Sequence, residues 1–170
     1  MNKTLITYFE PFGGRTTNAS KEVVSLLNDY QSQELPVSWL QIESKIDEIL
    51  SNGVDYLFLV GEAGSYPAIT VERTAHNICN GLDNYGVTKN NEPILNDEPE
   101  EIKTKFDLSN MPYRISDNAG KYLCNYVYYL ALSKAKNTKV VFIHLPYINN
   151  NLNELKDDLM KIIKTLSKGE

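Results

Sequence analysis

Tyr56-Leu57-Phe58-Leu59-Val60, closed by Gly61, is the stretch on which the fold turns. Five consecutive apolar residues leave no polar face, so a strand made from them must be covered on both sides. Lys139 to Leu145, with Val140-Val141-Phe142-Ile143 at its centre, repeats the pattern near the other end of the chain. Lys3 to Tyr8 reads as a third buried strand. Between these runs the apolar spacing lengthens to that of helices. Val23, Leu27 and Tyr30 form one stripe from about Ser20, and Ile42, Ile46, Ile49 and Leu50 form a second that stops at Asn52-Gly53. A helix from about Tyr122 to Ser133 turns Leu123, Val127 and Leu130 inward. Leu152, Leu155, Leu159, Ile162, Ile163 and Leu166 line a strongly amphipathic closing helix. Val37 to Ile42 and the β-branched Ile69 to Ile78 read as further strands. Residues 79–101, dense in Gly, Pro, Asn and Asp, read as a long surface excursion after them. Alternating strands and helices predict one α/β domain over residues 1–170. The expected form is a three-layer sandwich with a mostly parallel central sheet and helices on both faces.

Composition narrows the function. With 42% hydrophobic and 23% charged residues the chain is ordinary for a globular domain. A formal charge of −5 and a pI near 5.1 offer nothing to attract a nucleic acid. No stretch approaches the roughly 20 apolar residues that a membrane span needs. The N-terminus has no signal-peptide pattern, so a cytoplasmic location with reduced thiols is expected. Only Cys79, Cys124, His76 and His144 are available for thiol or imidazole chemistry.

Cys124 follows Asn118-Ala119-Gly120 near the start of a helix. A thiol there feels the positive end of the helix dipole, which favours the thiolate, and the free amides of the first turn can receive an oxyanion. A small buried hydrophobe would read the same way. His144 closes a buried strand, at the carboxyl edge where open α/β sheets hold ligands. It suits a general base, or a structural histidine. Glu72 interrupts Ile69-Thr70-Val71, and a carboxylate in such a run needs a partner. Arg73 points to the opposite face, so Glu72 is free to orient an imidazole, unless it lies on an exposed edge. His76 competes as base, but in a straight strand it stands about 13 Å from Glu72. His76 and Cys79 alone make too few ligands for a metal site.

Taken in order, Tyr8-Phe9-Glu10-Pro11-Phe12-Gly13-Gly14, Ile69-Thr70-Val71-Glu72-Arg73, Asn118-Ala119-Gly120-Lys121-Tyr122-Leu123-Cys124-Asn125 and Phe142-Ile143-His144-Leu145-Pro146-Tyr147 resemble the pyroglutamyl peptidase I family. Asp83-Asn84-Tyr85-Gly86 adds a weaker match. The resemblance implies a Cys124, His144 and Glu72 triad that removes an N-terminal pyroglutamyl residue from peptides. It further implies a cytosolic, often tetrameric homo-oligomer with no metal or cofactor. Phe9 and Phe12 match positions that sandwich the lactam ring, and Tyr122 matches a third wall. The chain departs from the family in being shorter, with residues missing after Leu40-Gln41-Ile42 and a helical segment missing between Asp97 and Ile115. Glu62 stands where members commonly carry Gln, and Leu82 falls where an arginine is expected. An ionised Glu62 cannot donate a hydrogen bond as an amide does. These departures keep two other readings open. One is a related thiol amidohydrolase for another small N-acyl substrate; the other is a non-catalytic binding homologue.

Overall fold

The structure, a computed structural model, describes residues 2–168. The first half runs β1 (Thr4–Phe9), α1 (Ala19–Val24), β2 (Gln31–Leu35), α2 (Ile42–Ser51) and β3 (Tyr56–Glu62). Short strands follow: β4 (Thr70–Glu72), β5 (Thr74–His76), β6 (Cys79–Leu82), β7 (Thr88–Glu92), β8 (Glu101–Lys103) and β9 (Arg114–Ser116). The chain closes with α3 (Leu123–Lys134), β10 (Lys139–Leu145) and α4 (Leu152–Ser167).

Six strands form the main sheet in the order β2-β1-β3-β10-β4-β9. β2, β1, β3 and β10 are mutually parallel, whereas β4 lies antiparallel to β10. The apolar runs of β3 and β10 occupy the centre and are covered on both faces, as their composition requires. Leu57, Leu59, Val140 and Phe142 belong to a core with residues of α2 and α3. Phe58, Val60, Val141 and Ile143 belong to a second core with α1 and α4. The three-layer, mostly parallel α/β expectation therefore holds.

α3 is buried almost all round. Its tyrosines bury their rings and spend their hydroxyls on backbone carbonyls: Tyr126 on Trp39, Tyr128 on Glu72 and Tyr129 on Pro99. A buried hydroxyl left without a partner would cost about 1–3 kcal/mol, so these bonds are what allow tyrosine in such a place.

Four expectations are corrected. The second strand is Gln31–Leu35, not Val37 to Ile42. β2 is an edge strand paired only with β1, which tolerates its polar side chains. Val37 and Trp39 are buried in a loop whose amides bond the carboxylates of Glu10 and Asp83. α1 stops at Val24 rather than continuing to Tyr30, and three-residue turns follow. The Ser25 hydroxyl and amide both donate to the Lys21 carbonyl, at 2.5 and 3.0 Å, where the helix ends. Ile69 to Ile78 is two strands, broken at Arg73. Its amide bonds Ser116 O, its carbonyl accepts from Thr104 N, and its guanidinium grips Asp117. β5 consequently leaves the main sheet and pairs with β8. The 79–101 excursion holds the β6–β7 hairpin. No helix forms between Asp97 and Ile115; there Phe106 stacks on Tyr56 and Phe58 and covers the sheet.

At the hairpin tip, burial raises the proton affinity of Asp83. Backbone amides of Val87, Trp39 and Tyr85 more than reverse this and hold the carboxyl below its usual range. A carboxylate with a depressed pKa stabilises the fold above its unfolded value, about 3.9, and loses that contribution as pH falls through the folded one. Asp83→Asn is expected to lower the melting temperature at pH 7, and the gap to the parent should narrow below about pH 4 in thermal melts across pH.

Candidate active site

Strand periodicity assembles the site. Successive residues of a strand point to opposite faces. On β3, Leu57 and Leu59 face the α2–α3 side, so Gly61 does too. On β10, Val140 and Phe142 set the same face for His144. On β4, Val71 belongs to the opposite core, which turns Glu72 toward α3. The register then pairs His144 with Gly61 and Phe142 with Glu72. Cys124, second residue of α3, comes down onto this face.

Gly61 makes room for the sulfur. A Cβ on it would stand 2.8 Å from Cys124 Sγ and 2.7 Å from the Phe142 ring. The thiol thus occupies the volume that a side chain at position 61 would fill, beside the strand that carries His144. Cys124 and His144 line the same cavity.

Glu72 is fully buried, and its Oε1 lies 2.8 Å from His144 Nδ1. The tautomer with hydrogen on Nδ1 donates to Glu72 and leaves Nε2 as an acceptor. Tyr66, which the sequence did not single out, also donates to Glu72 Oε1, at 2.9 Å, and its ring meets His144 edge-on. Asn125 was missed as well. Next to Cys124 and fully buried, it clamps the backbone of His76 and Ile78 to the start of α3. Through-space partners of this kind leave no periodic signal in a sequence.

Cys124 and His144 face a cavity of about 400 Å³, together with Phe12, Glu62, Ala63, Ser65, Tyr66, Asn118, Ala119, Gly120 and Tyr122. The Phe12 and Tyr122 rings pack on each other, 5.9 Å between centroids, into one aromatic wall. Phe9 is not on it. With 2% exposure Phe9 sits in the core between sheet and helices, so the sandwich expected of Phe9 and Phe12 is not formed. Leu82 is exposed, and its carbonyl receives the Tyr122 hydroxyl at 2.6 Å.

Burial, reinforced by the charges of Glu72 and Glu62, pushes the Cys124 thiol up to about 12. The expectation that the helix start would favour the thiolate is therefore corrected. A helix terminus offers up to about 2 kcal/mol in a partly buried setting, less than the roughly 4 kcal/mol of a rise from 9.0 to about 12. The resting sulfur is a neutral thiol.

Glu62 reaches α1 as well as the cavity. Oε1 pairs with Arg15, and Oε2 accepts the Ala19 amide at 2.7 Å. The Arg15 guanidinium also stacks on Tyr147, 4.4 Å from the ring centroid. A carboxylate fits at position 62 because a cation and a helix amide are waiting for it.

His76 is elsewhere. Its Nε2 lies 2.7 Å from Asp117 O, and it lines a different cleft. Cys79 is buried with its sulfur on Glu92 O. Among the described residues no three His, Cys, Asp or Glu side chains converge as a metal site would require.

Gly61→Ala is expected to cost about 1–3 kcal/mol of stability, the range for overpacking a core. By displacing the sulfur it should also remove at least 100-fold of any Cys124-dependent turnover. Thermal melts and rate assays on the same preparation measure both.

The sequence and the fold both have known relatives. The pyroglutamyl peptidase family model matches residues 2–161. The chain is 32% identical to a pyrrolidone-carboxylate peptidase of Fusobacterium nucleatum, covering 99% of this chain and 89% of that protein. That alignment runs over 197 positions against the 170 residues here, so the two pair only with gaps. A second such peptidase, from Caldanaerobacter subterraneus, is 35% identical over 86% of this chain and 82% of its own. The solved pyrrolidone carboxyl peptidase of Thermococcus litoralis superposes with a TM-score of 0.89 at 27% identity, covering 99% of this chain and 94% of that one. The corresponding Thermus thermophilus structure gives 0.85 at 26%, covering 98% and 100%. This chain belongs to the pyroglutamyl peptidase family.

Proposed function

We propose that Cys124, His144 and Glu72 carry the reaction of this enzyme, a single-domain cysteine peptidase that removes the pyroglutamyl residue from the N-terminus of a peptide. The observation that carries the assignment is His144 Nδ1 at 2.8 Å from the buried Glu72 Oε1, on a wall shared with Cys124. His144 Nε2 takes the thiol proton as sulfur attacks the acyl carbon. A tetrahedral intermediate forms, and the unpaired amides at the start of α3 receive its oxyanion. Collapse breaks the C–N bond, and His144 returns the proton to the departing amine. Water, deprotonated by the same imidazole, then hydrolyses the thioester and regenerates the thiol. Every step uses groups of the chain and water. Phe12 and Tyr122 give the flat lactam an apolar wall, and Glu62 an acceptor for its N–H. The same reading expects a cytoplasmic homo-oligomer.

Cys124→Ala should lower dye release from a pyroglutamyl amide by at least 1,000-fold, whereas Cys79→Ala stays within about threefold of the parent. Equal losses in the two variants would overturn the assignment of the nucleophile. Faster release from another N-acyl amide would favour the related amidohydrolase instead.

A further inference from the structure

Glu72 Oε2 is buried and has no hydrogen-bond partner among the described residues. The carboxylate is therefore held through Oε1 alone, which receives both His144 Nδ1 and the Tyr66 hydroxyl. Tyr66 has a single proton and two acceptors for it. Its oxygen lies 2.9 Å from Glu72 Oε1 and 2.8 Å from Asn118 O, the carbonyl on the cavity wall that leads into α3. Burial raises the phenol, so it remains a donor at neutral pH.

We infer that Tyr66 is a positioning residue of the triad: its hydroxyl shares Glu72 Oε1 with His144 and so sets how strongly the carboxylate holds the imidazole. The inference rests on the peptidase reading for its consequence in turnover, though not for its physical content. A donor bonded to a carboxylate stabilises the charge and weakens its pull on a second hydrogen. When the phenol turns to Asn118 O, Glu72 is left to His144 alone and attracts an imidazolium more strongly. One O–H thus links the carboxylate to the loop that precedes the nucleophile.

The other groups around Glu72 come from several elements. From α3 come Cys124 and Tyr128, the latter bonded to the Glu72 backbone carbonyl rather than to its carboxylate. From β10 comes His144. β9 supplies Ser116, 3.4 Å from the Tyr66 oxygen, and Arg114, whose guanidinium stacks 4.7 Å from the Tyr66 ring centroid and reaches Thr70 Oγ1. Arg73 is committed to Asp117. Tyr66 is the hydroxyl donor of this group on the carboxylate itself.

Y66F removes the hydroxyl and keeps the ring that meets His144 and Arg114. Because the chain has two histidines, His76→Gln assigns the imidazole signals by NMR. In Y66F the His144 titration midpoint is expected to rise by about half a unit, since a carboxylate relieved of one donor favours the imidazolium. The acid limb of kcat/KM should move up by the same amount, with kcat at pH 7 reduced about three- to tenfold and KM within twofold. An unmoved midpoint overturns the inference, including the case in which Y66F only melts earlier, as a purely structural tyrosine would. If the midpoint rises in a protein whose parent hydrolyses no pyroglutamyl amide, the peptidase reading fails and the role of Tyr66 stands.

Discussion

A carboxylate cut off from water governs this structure. Glu72 is wholly buried, and an ionised group in such a place is tolerated only when bonded and paired. Its bonds come from His144 on the neighbouring strand and Tyr66 on the loop after β3, so three segments must meet for the fold to accept it. The antiparallel register of β4 on β10 is what sets Glu72 beside Phe142 and within reach of His144. The break at Arg73 serves the same end, because it lets the chain leave the sheet directly after the carboxylate.

The same burial decides the state of the proposed nucleophile. Cys124 sits over the bare backbone of Gly61, in surroundings that favour the neutral thiol, and Glu72 and Glu62 add to that preference. The positive end of α3 is too weak to reverse it. In the proposed mechanism proton removal therefore belongs to the reaction rather than to the resting enzyme, which makes the orientation of His144 matter. Arg15 limits the cost of a carboxylate at position 62 by pairing with it, and binds the loop carrying Phe12 to the strand end that carries Glu62.

Much of this was legible in the sequence, for identifiable reasons. Unbroken apolar runs such as Tyr56 to Val60 permit only a doubly covered strand, so the centre of the sheet and its layers could be read directly. The three catalytic candidates stood out because thiols and imidazoles are few and because a lone Glu72 in a β-branched run demands a partner. β2 was illegible since an edge strand has no need of apolar residues, while Val37 and Trp39 look strand-like in a loop held by distant carboxylates. The division of Ile69 to Ile78 depends on Ser116, Thr104 and Asp117, all more than thirty residues away. Tyr66 and Arg15 carry no local pattern, and Phe9 matched a wall position by sequence while its strand face sent it into the core.

The account rests on a sulfur, an imidazole and a carboxylate acting in one line, and trapping the acyl-enzyme tests that most directly. The protein would be mixed with a pyroglutamyl ester at mildly acid pH, quenched during the burst, digested and analysed by mass spectrometry. The account predicts one pyroglutamyl group bound as a thioester on the peptide that contains Cys124. Product release with Cys124 unmodified, or an acyl group carried on any other residue, would contradict it.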